Sequence, residues 1–517
     1  MRFLLSLAEA CARVQDGGMD NAPTSGLVTT GPAHAEGAVR NYVGGEWLAA
    51  DGVELLDDRN PANAELLARV PLSGAAEVEL AAAAARAAQP GWRAVSPQAR
   101  ARALMRLRQV LDANREELAA LVTRDMGKTS ADALGEVGRG IESVEAAIAI
   151  PHLLKGENLE GVARGVDVEL VRQPVGVVAA ITPFNFPAMI PLWFLPYAVA
   201  CGNTFILKPS EQDPLTSVRV FELIDEHEIF PAGVVNLLHG GHDAVNALLA
   251  SEGVDAISFV GSAATARYVC SSAVATGKRV QALGGAKNAM VVMPDADPTL
   301  MTTGVTSSAF GAAGQRCLAG SLLVLVGDGA EQDRSLRQVL DATSVLNVGD
   351  GADPRTDVCP LVSVGSRQRV EAEIERAVEE GAKLVLDGRR DGGAAGAELG
   401  PTIIDDARPG SPALAEELFG PVLTVLRAAD LDAALELVNA SRYGNASVIF
   451  TSSGGAAREY RYGVQAGMVG VNIGVPAPVA WFPFAGWKDS IDGDLHANGN
   501  DAVEFYTRKK VVTTRWA

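Results

Sequence analysis

The chain is poor in cysteine and has no CxxC pair, so neither a disulfide framework nor a zinc site is indicated. Its five cysteines (Cys11, Cys201, Cys270, Cys317 and Cys359) are widely spaced over 517 residues. A reducing, cytoplasmic setting with no bound metal is the expectation. No basic tract interrupts a formal net charge of -19, from 44 Lys+Arg against 63 Asp+Glu, which disfavours nucleic acid and anionic membrane surfaces as partners. No short internal repeat and no complete three-glycine dinucleotide fingerprint is present. An uncharged run from Val175 to Leu207 exceeds the roughly 20 residues that cross a bilayer. However, Pro183, Pro187, Pro191 and Pro196 recur through it, each removing a helical hydrogen bond. A buried strand, a turn and a core helix fit it better than a membrane span. The opening segment resembles a signal peptide only faintly, because Glu9, Arg13 and Asp16 break its apolar run.

A hydrophobic content of 48% and a length well beyond one typical domain suit a large buried core shared by several units. Residues 1–38, rich in Gly, Pro, Thr and Ala, read as a disordered extension. A hairpin-like segment from Asn41 to Asn63 follows, and then helical patterns over 76–89, 97–125 and 130–149. From Gly176 onward short apolar strands (VVAAI, TFIL, VVNLL, AISFV) alternate with amphipathic helices, and the alternation resumes after Asp297. That pattern predicts an α/β protein with two consecutive domains built on open, mainly parallel sheets. The boundaries follow as 39–151 with 175–285 for the first domain and 286–480 for the second. Segments 152–174 and 481–517 are left for oligomerisation, because VEFYTRKKVVTTRW reads as an exposed strand able to pair with another subunit.

Four local patterns carry candidate chemistry, each with a plainer alternative. In GAAGQRCLAGS, Cys317 follows a helical run over 300–312 among Gly311, Gly314 and Gly320, with Arg316 beside it to favour the thiolate. The alternative is a small buried cysteine. In TPFNFP, Asn185 can donate to an oxyanion or simply brace a turn. In TFILKPSE, Lys208 and Glu211 at a strand's carboxyl end suit a ribose diol, or form a solvated loop pair. The Glu211 carboxylate would repel a 2′-phosphate, favouring NAD over NADP. In AISFVGS, Gly261 and Ser262 open a helix whose free N–H groups suit a pyrophosphate, or serve only as a capped turn.

Taken together, PFNFP, LKPSE, FVGS, GQRC and EELFGPV occur in that order over roughly 240 residues. From about Asn41 to its end the chain resembles the aldehyde dehydrogenase superfamily. GEVGRGIESVE, QALGGAKN, NIGVPAPVAWFPFAGWK and the tail resemble its methylmalonate-semialdehyde dehydrogenase branch. The resemblance implies that Cys317 is the nucleophile, with Asn185 and the Cys317 N–H as its oxyanion hole. It places Lys208 and Glu211 on the adenosine ribose, Ser262 with Gly261 on the pyrophosphate, and Glu417 on the nicotinamide ribose. Phe419 lies against the nicotinamide, and Phe184 lies in the cofactor groove. For a methylmalonate- or malonate-semialdehyde substrate, Arg316 and Arg139 are the candidates to grip the carboxylate.

Three departures stand out. QALGGAK has Ala282 or Leu283 where hydrolytic relatives carry a glutamate base, so the acyl group is expected to pass to coenzyme A and, after loss of CO2, to leave as propionyl- or acetyl-CoA. Ala266 replaces a glycine of the branch and is expected to crowd the cofactor groove or to alter its mobility. LAGS after Cys317 differs from the branch's run, so the acyl pocket differs too. A homodimer or homotetramer is the expected assembly. The competing readings are an aldehyde dehydrogenase of another substrate with hydrolytic deacylation, and an inactive relic of the fold.

Overall fold

The computed structural model describes residues 33–516 apart from 36, 51, 391 and 409. Two open α/β sheets dominate the fold. The first has eight strands in the order Ile491–Asp492, Arg279–Leu283, Ala256–Val260, Val177–Ile181, Thr204–Lys208, Val235–Leu237, Asn41–Val43, Glu46–Leu48. Its five central strands run parallel. The second has seven, in the order Lys383–Leu386, Thr402–Asp405, Val422–Ala428, Gly320–Val326, Asn288–Val292, Ala446–Phe450, Met468–Val471. All of these are parallel except the Lys383–Leu386 edge. Both sheets carry helices, which is why their central strands are apolar without alternation.

The uncharged run folds as strand Val177–Ile181, a proline-bounded turn, helix Met189–Ala200 and strand Thr204–Lys208. Every residue of that helix is buried. A tight turn at Gly202 (φ 94°) joins helix to strand, and a Cβ there would lie 2.7 Å from the buried Arg100 guanidinium. Among the described residues no helix is long and apolar enough to cross a membrane. No group of three His, Cys, Asp or Glu among them is arranged to hold a metal ion.

Several local expectations are corrected. The helix expected over 97–125 is two helices, Pro97–Ala113 and Arg115–Met126. Asn114 breaks it with a non-helical backbone and a carboxamide that donates to the Val110 carbonyl. Of the extension expected over 1–38, residues 1–32 and 36 lie outside the described residues, whereas His34–Ala35 pairs with Ala38–Val39. The supposed terminal strand begins with a helix, Gly499–Tyr506, burying Ala502, Val503, Phe505 and Tyr506 at helical spacing. Only Thr507–Arg515 is extended, and it pairs antiparallel with Val166–Pro174 of its own chain. The segment from 481 serves the main body as well: Ile491–Asp492 closes one edge of the first sheet, and Phe484 is part of the core. Ala266 is fully buried in the cluster containing Ile181, Phe259 and Ala282, so its methyl meets the core rather than an open groove.

Candidate active site

The carboxyl ends of the first sheet's strands face the amino ends of the second sheet's. At that junction a cavity of about 360 Å³ is lined by Cys317 and Arg316 together with Arg139, Lys128, Asp132 and Glu136. Phe186, Trp193, Leu318, Val475 and Phe484 supply apolar walls.

The turn that presents Cys317 is built from sequence outward. Helix Pro298–Phe310, capped by the Asp297 carboxylate, stops two residues short of the expected end. Ala312 and Ala313 then adopt left-handed backbones (φ 49° and 53°). Gly314 follows at φ 70°, and a Cβ there would sit 2.2 Å from the Gly420 carbonyl oxygen, so only glycine lets the two loops meet. Gln315 is fully buried, and its Oε1 accepts the Val362 N–H at 3.0 Å.

Cys317 is half-buried, and the backbone N–H groups of Cys317 and Leu318 act to lower its thiol. Burial nevertheless pushes the thiol up to about 12; the Glu417 carboxylate adds to this, and Lys128 opposes it only weakly. The expected help from Arg316 is not realised. Its guanidinium donates to Asp132 at 2.7 Å and to the Ser307 carbonyl, which neutralises it toward the sulfur. Asn185 is buried, and its Nδ2 donates to the Gln315 carbonyl at 2.9 Å, one residue from Arg316 and two from the thiol.

The remaining residues predicted for the cofactor stand at or just beyond carboxyl ends of the first sheet's strands, except Glu417 and Phe419, which precede strand Val422–Ala428 of the second. Phe184 and Phe419 meet edge to face with ring centroids 5.7 Å apart. Glu417 is half-buried, and a Cβ on Gly285 would lie 2.6 Å from its carboxyl group and 3.5 Å from the Ala263 amide nitrogen. That glycine therefore keeps open the space between Glu417 and the helix that Ser262 caps. Burial raises the Glu417 carboxyl to about 8, and the neighbouring Lys287 ammonium, itself lowered to about 8 by burial, draws it back only in part. Ser262 accepts the Thr265 N–H, and Gly261 has the Phe259 ring where a side chain would go. Lys208, buried at its strand's end, donates to Glu211 at 2.9 Å, so this pair is not a solvated one. Arg139 points to the cavity rim, bonded to Glu142 at 2.5 Å and to the Pro478 carbonyl.

Lys128, Asp132 and Glu136 were missed by the motif reading. Asp132, Gly135, Glu136, Arg139 and Ser143 follow i, i+3, i+4, i+7, i+11 spacing on helix Ser130–Ile148, and all five line the cavity. That spacing was a readable signal. Lys128 donates to Glu136 at 2.5 Å and sits 3.7 Å over the Phe186 ring.

A sequence model of the aldehyde dehydrogenase family matches residues 47–512. The chain belongs to the aldehyde dehydrogenase family. Within it, a malonate-semialdehyde dehydrogenase of Geobacillus kaustophilus is 49% identical over 480 residues, covering 92% of this chain and 98% of the relative. One of Halalkalibacterium halodurans is 45% identical over 479 residues, with the same coverage of both chains. A crystal structure described as a methylmalonate-semialdehyde dehydrogenase of Sinorhizobium meliloti, complexed with NAD, superposes with a TM-score of 0.90 at 42% identity, covering 92% of this chain and 97% of that one. The corresponding enzyme of Oceanimonas doudoroffii gives 0.90 at 43% identity, with 93% and 98% covered. The two α/β domains are those of an aldehyde dehydrogenase.

Proposed function

We propose that this aldehyde dehydrogenase oxidises a carboxylated semialdehyde, malonate or methylmalonate semialdehyde, with NAD. The acyl group is carried as a thioester on Cys317 and passed to coenzyme A with loss of CO2. The observation that carries this reading is a single cavity holding the thiol together with Arg139, Arg316 and Lys128. The names of the relatives at 45–49% identity support the substrate class.

NAD fits these residues: a buried ammonium paired with a carboxylate for a ribose diol, a capped helix start for pyrophosphate, and the half-buried Glu417 carboxyl beside Gly285 for the second ribose. When bound, it supplies the hydride acceptor. The chain's own residues do the rest. The Cys317 thiol gives its proton to solvent water, and the resulting thiolate bonds to the aldehyde carbon. Asn185 has two N–H donors; the Gln315 carbonyl takes one and thereby orients the carboxamide, leaving the other for the alkoxide alongside the Cys317 N–H. Phe184 and Phe419, in mutual contact, help keep water from the reacting centre. Arg139 at the rim takes the substrate carboxylate: each arginine is paired with a carboxylate, Arg139 with Glu142 and Arg316 with Asp132, and Arg139 is the more exposed of the two.

Two results follow. NADH forms from malonate and methylmalonate semialdehyde, and the acyl-CoA product is identified by mass spectrometry. Arg139→Ala raises KM for these about ten- to a hundredfold, the scale of one hydrogen bond to a charged group, while KM for propanal changes less than about twofold. Equal losses on both aldehydes would assign Arg139 to structure instead. Glu211→Gln removes the carboxylate facing a 2′-phosphate and is expected to lower KM for NADP about tenfold, with KM for NAD rising only a few-fold. An unchanged NADP/NAD ratio would remove Glu211 from cofactor selection.

A further inference from the structure

QALGGAKN ends in a residue to which the mechanism above gives no part. Asn288 opens strand Asn288–Val292, and Asn445 immediately precedes the neighbouring strand Ala446–Phe450; both are buried. Their carboxamides converge on one atom. Asn288 Nδ2 donates to the Cys317 carbonyl oxygen at 2.9 Å and to the Ala319 carbonyl at 2.9 Å. Asn445 Nδ2 donates to the same Cys317 oxygen at 2.8 Å. Asn288 Oδ1 accepts the Ala446 N–H at 3.0 Å, so its carboxamide is also tied to the start of the neighbouring strand.

The other end of that peptide bears on the sulfur, since the Leu318 N–H lowers the Cys317 thiol against the rise caused by burial. Two donors on a peptide oxygen draw electron density toward it and make the same peptide's N–H a stronger donor, a cooperativity that grows in a low-dielectric interior. The net result is a relay from two carboxamides through one peptide to the nucleophile. We propose that Asn288 and Asn445 are positioning residues for Cys317, which polarise and orient the Cys317–Leu318 peptide so that its N–H stabilises the thiolate. This rests on Cys317 being the nucleophile. It gives the half-buried thiol a stabilisation delivered through the backbone, which opposes part of the rise in its pKa.

Asn445→Ala and Asn288→Ala, made separately in the full-length protein, each leave one carboxamide on the oxygen. The rate of Cys317 alkylation by iodoacetamide, mapped by peptide mass spectrometry, is followed from pH 7 to 10. Each variant is expected to alkylate about three- to tenfold more slowly, with the profile displaced to higher pH. The value of kcat falls by a similar factor, and KM for NAD stays within about twofold. Asn288 also joins three strand ends, so where its variant melts early Asn445→Ala decides, read alongside its thermal melt. An alkylation profile superposing on wild type in a folded Asn445→Ala overturns the proposal alone. Activity surviving Cys317→Ser overturns the nucleophile assignment, and this proposal with it.

Discussion

Cys317→Ser is expected to lower NADH formation by at least about a thousandfold, with the melting temperature unchanged within a few degrees and NAD still bound. The size follows from the site. Burial already pushes the thiol up to about 12, against which the site offers only two backbone N–H groups and a weak contribution from Lys128. A serine hydroxyl is a far weaker acid than a thiol and would need a strong base in the same place. Asp132 and Glu136 are both committed: Asp132 accepts from Arg316 and from the Ala312 N–H. Glu136 accepts from Lys128 and from the Ala188 and Met189 N–H groups. The raised thiol also sets a pH dependence. Alkylation of the free enzyme climbs steadily from pH 7 to 10 without a plateau, because the thiolate remains the minor form throughout that range. A serine variant that keeps more than about a tenth of the activity would remove Cys317 from the reaction.

The layering was legible in the sequence because its signals are local. VVAAI, TFIL and AISFV are strands bounded by turns, and helices expected over 216–227, 243–250 and 431–441 lie within two residues of Leu215–Glu226, His242–Ala250 and Leu431–Asn439. The site's electrostatics were not legible, because its partners are distant in the chain. Arg316 reads as an activating cation next to Cys317, yet Asp132 lies 184 residues away and cancels it. Asn288 was quoted as part of a motif with no task attached. Its task depends on a carbonyl 29 residues on and on Asn445 in another strand. Glu417 reads as a ribose acceptor in EELFGPV, and nothing in those seven letters reveals that burial would leave its carboxyl largely protonated at neutral pH.

Without coenzyme A, the expected time course is a burst of about one NADH per site followed by a steady rate at least about a hundredfold below that with coenzyme A, as stopped-flow absorbance would show. The argument is an inventory of bases. Strand Arg279–Leu283 ends where hydrolytic relatives place their glutamate, and here Ala282 is fully buried and Leu283 nearly so. Asp132 and Glu136 are spent on the bonds above, so water in the cavity finds no free carboxylate among the described residues that line it. Glu417 stands closest to filling the gap, since its charge acts directly on Cys317. With its carboxyl near 8, however, only a small fraction is the carboxylate at pH 7, and a general base must be deprotonated to work. The coenzyme A thiol needs less help, because its thiolate is accessible near neutral pH without a protein base. The two routes separate on pH as well as on acceptor. If Glu417 activated water, the coenzyme A-free rate would rise through about pH 8 and vanish in Glu417→Gln. A fast coenzyme A-free rate with that profile would replace acyl transfer by hydrolysis while leaving Cys317 in place.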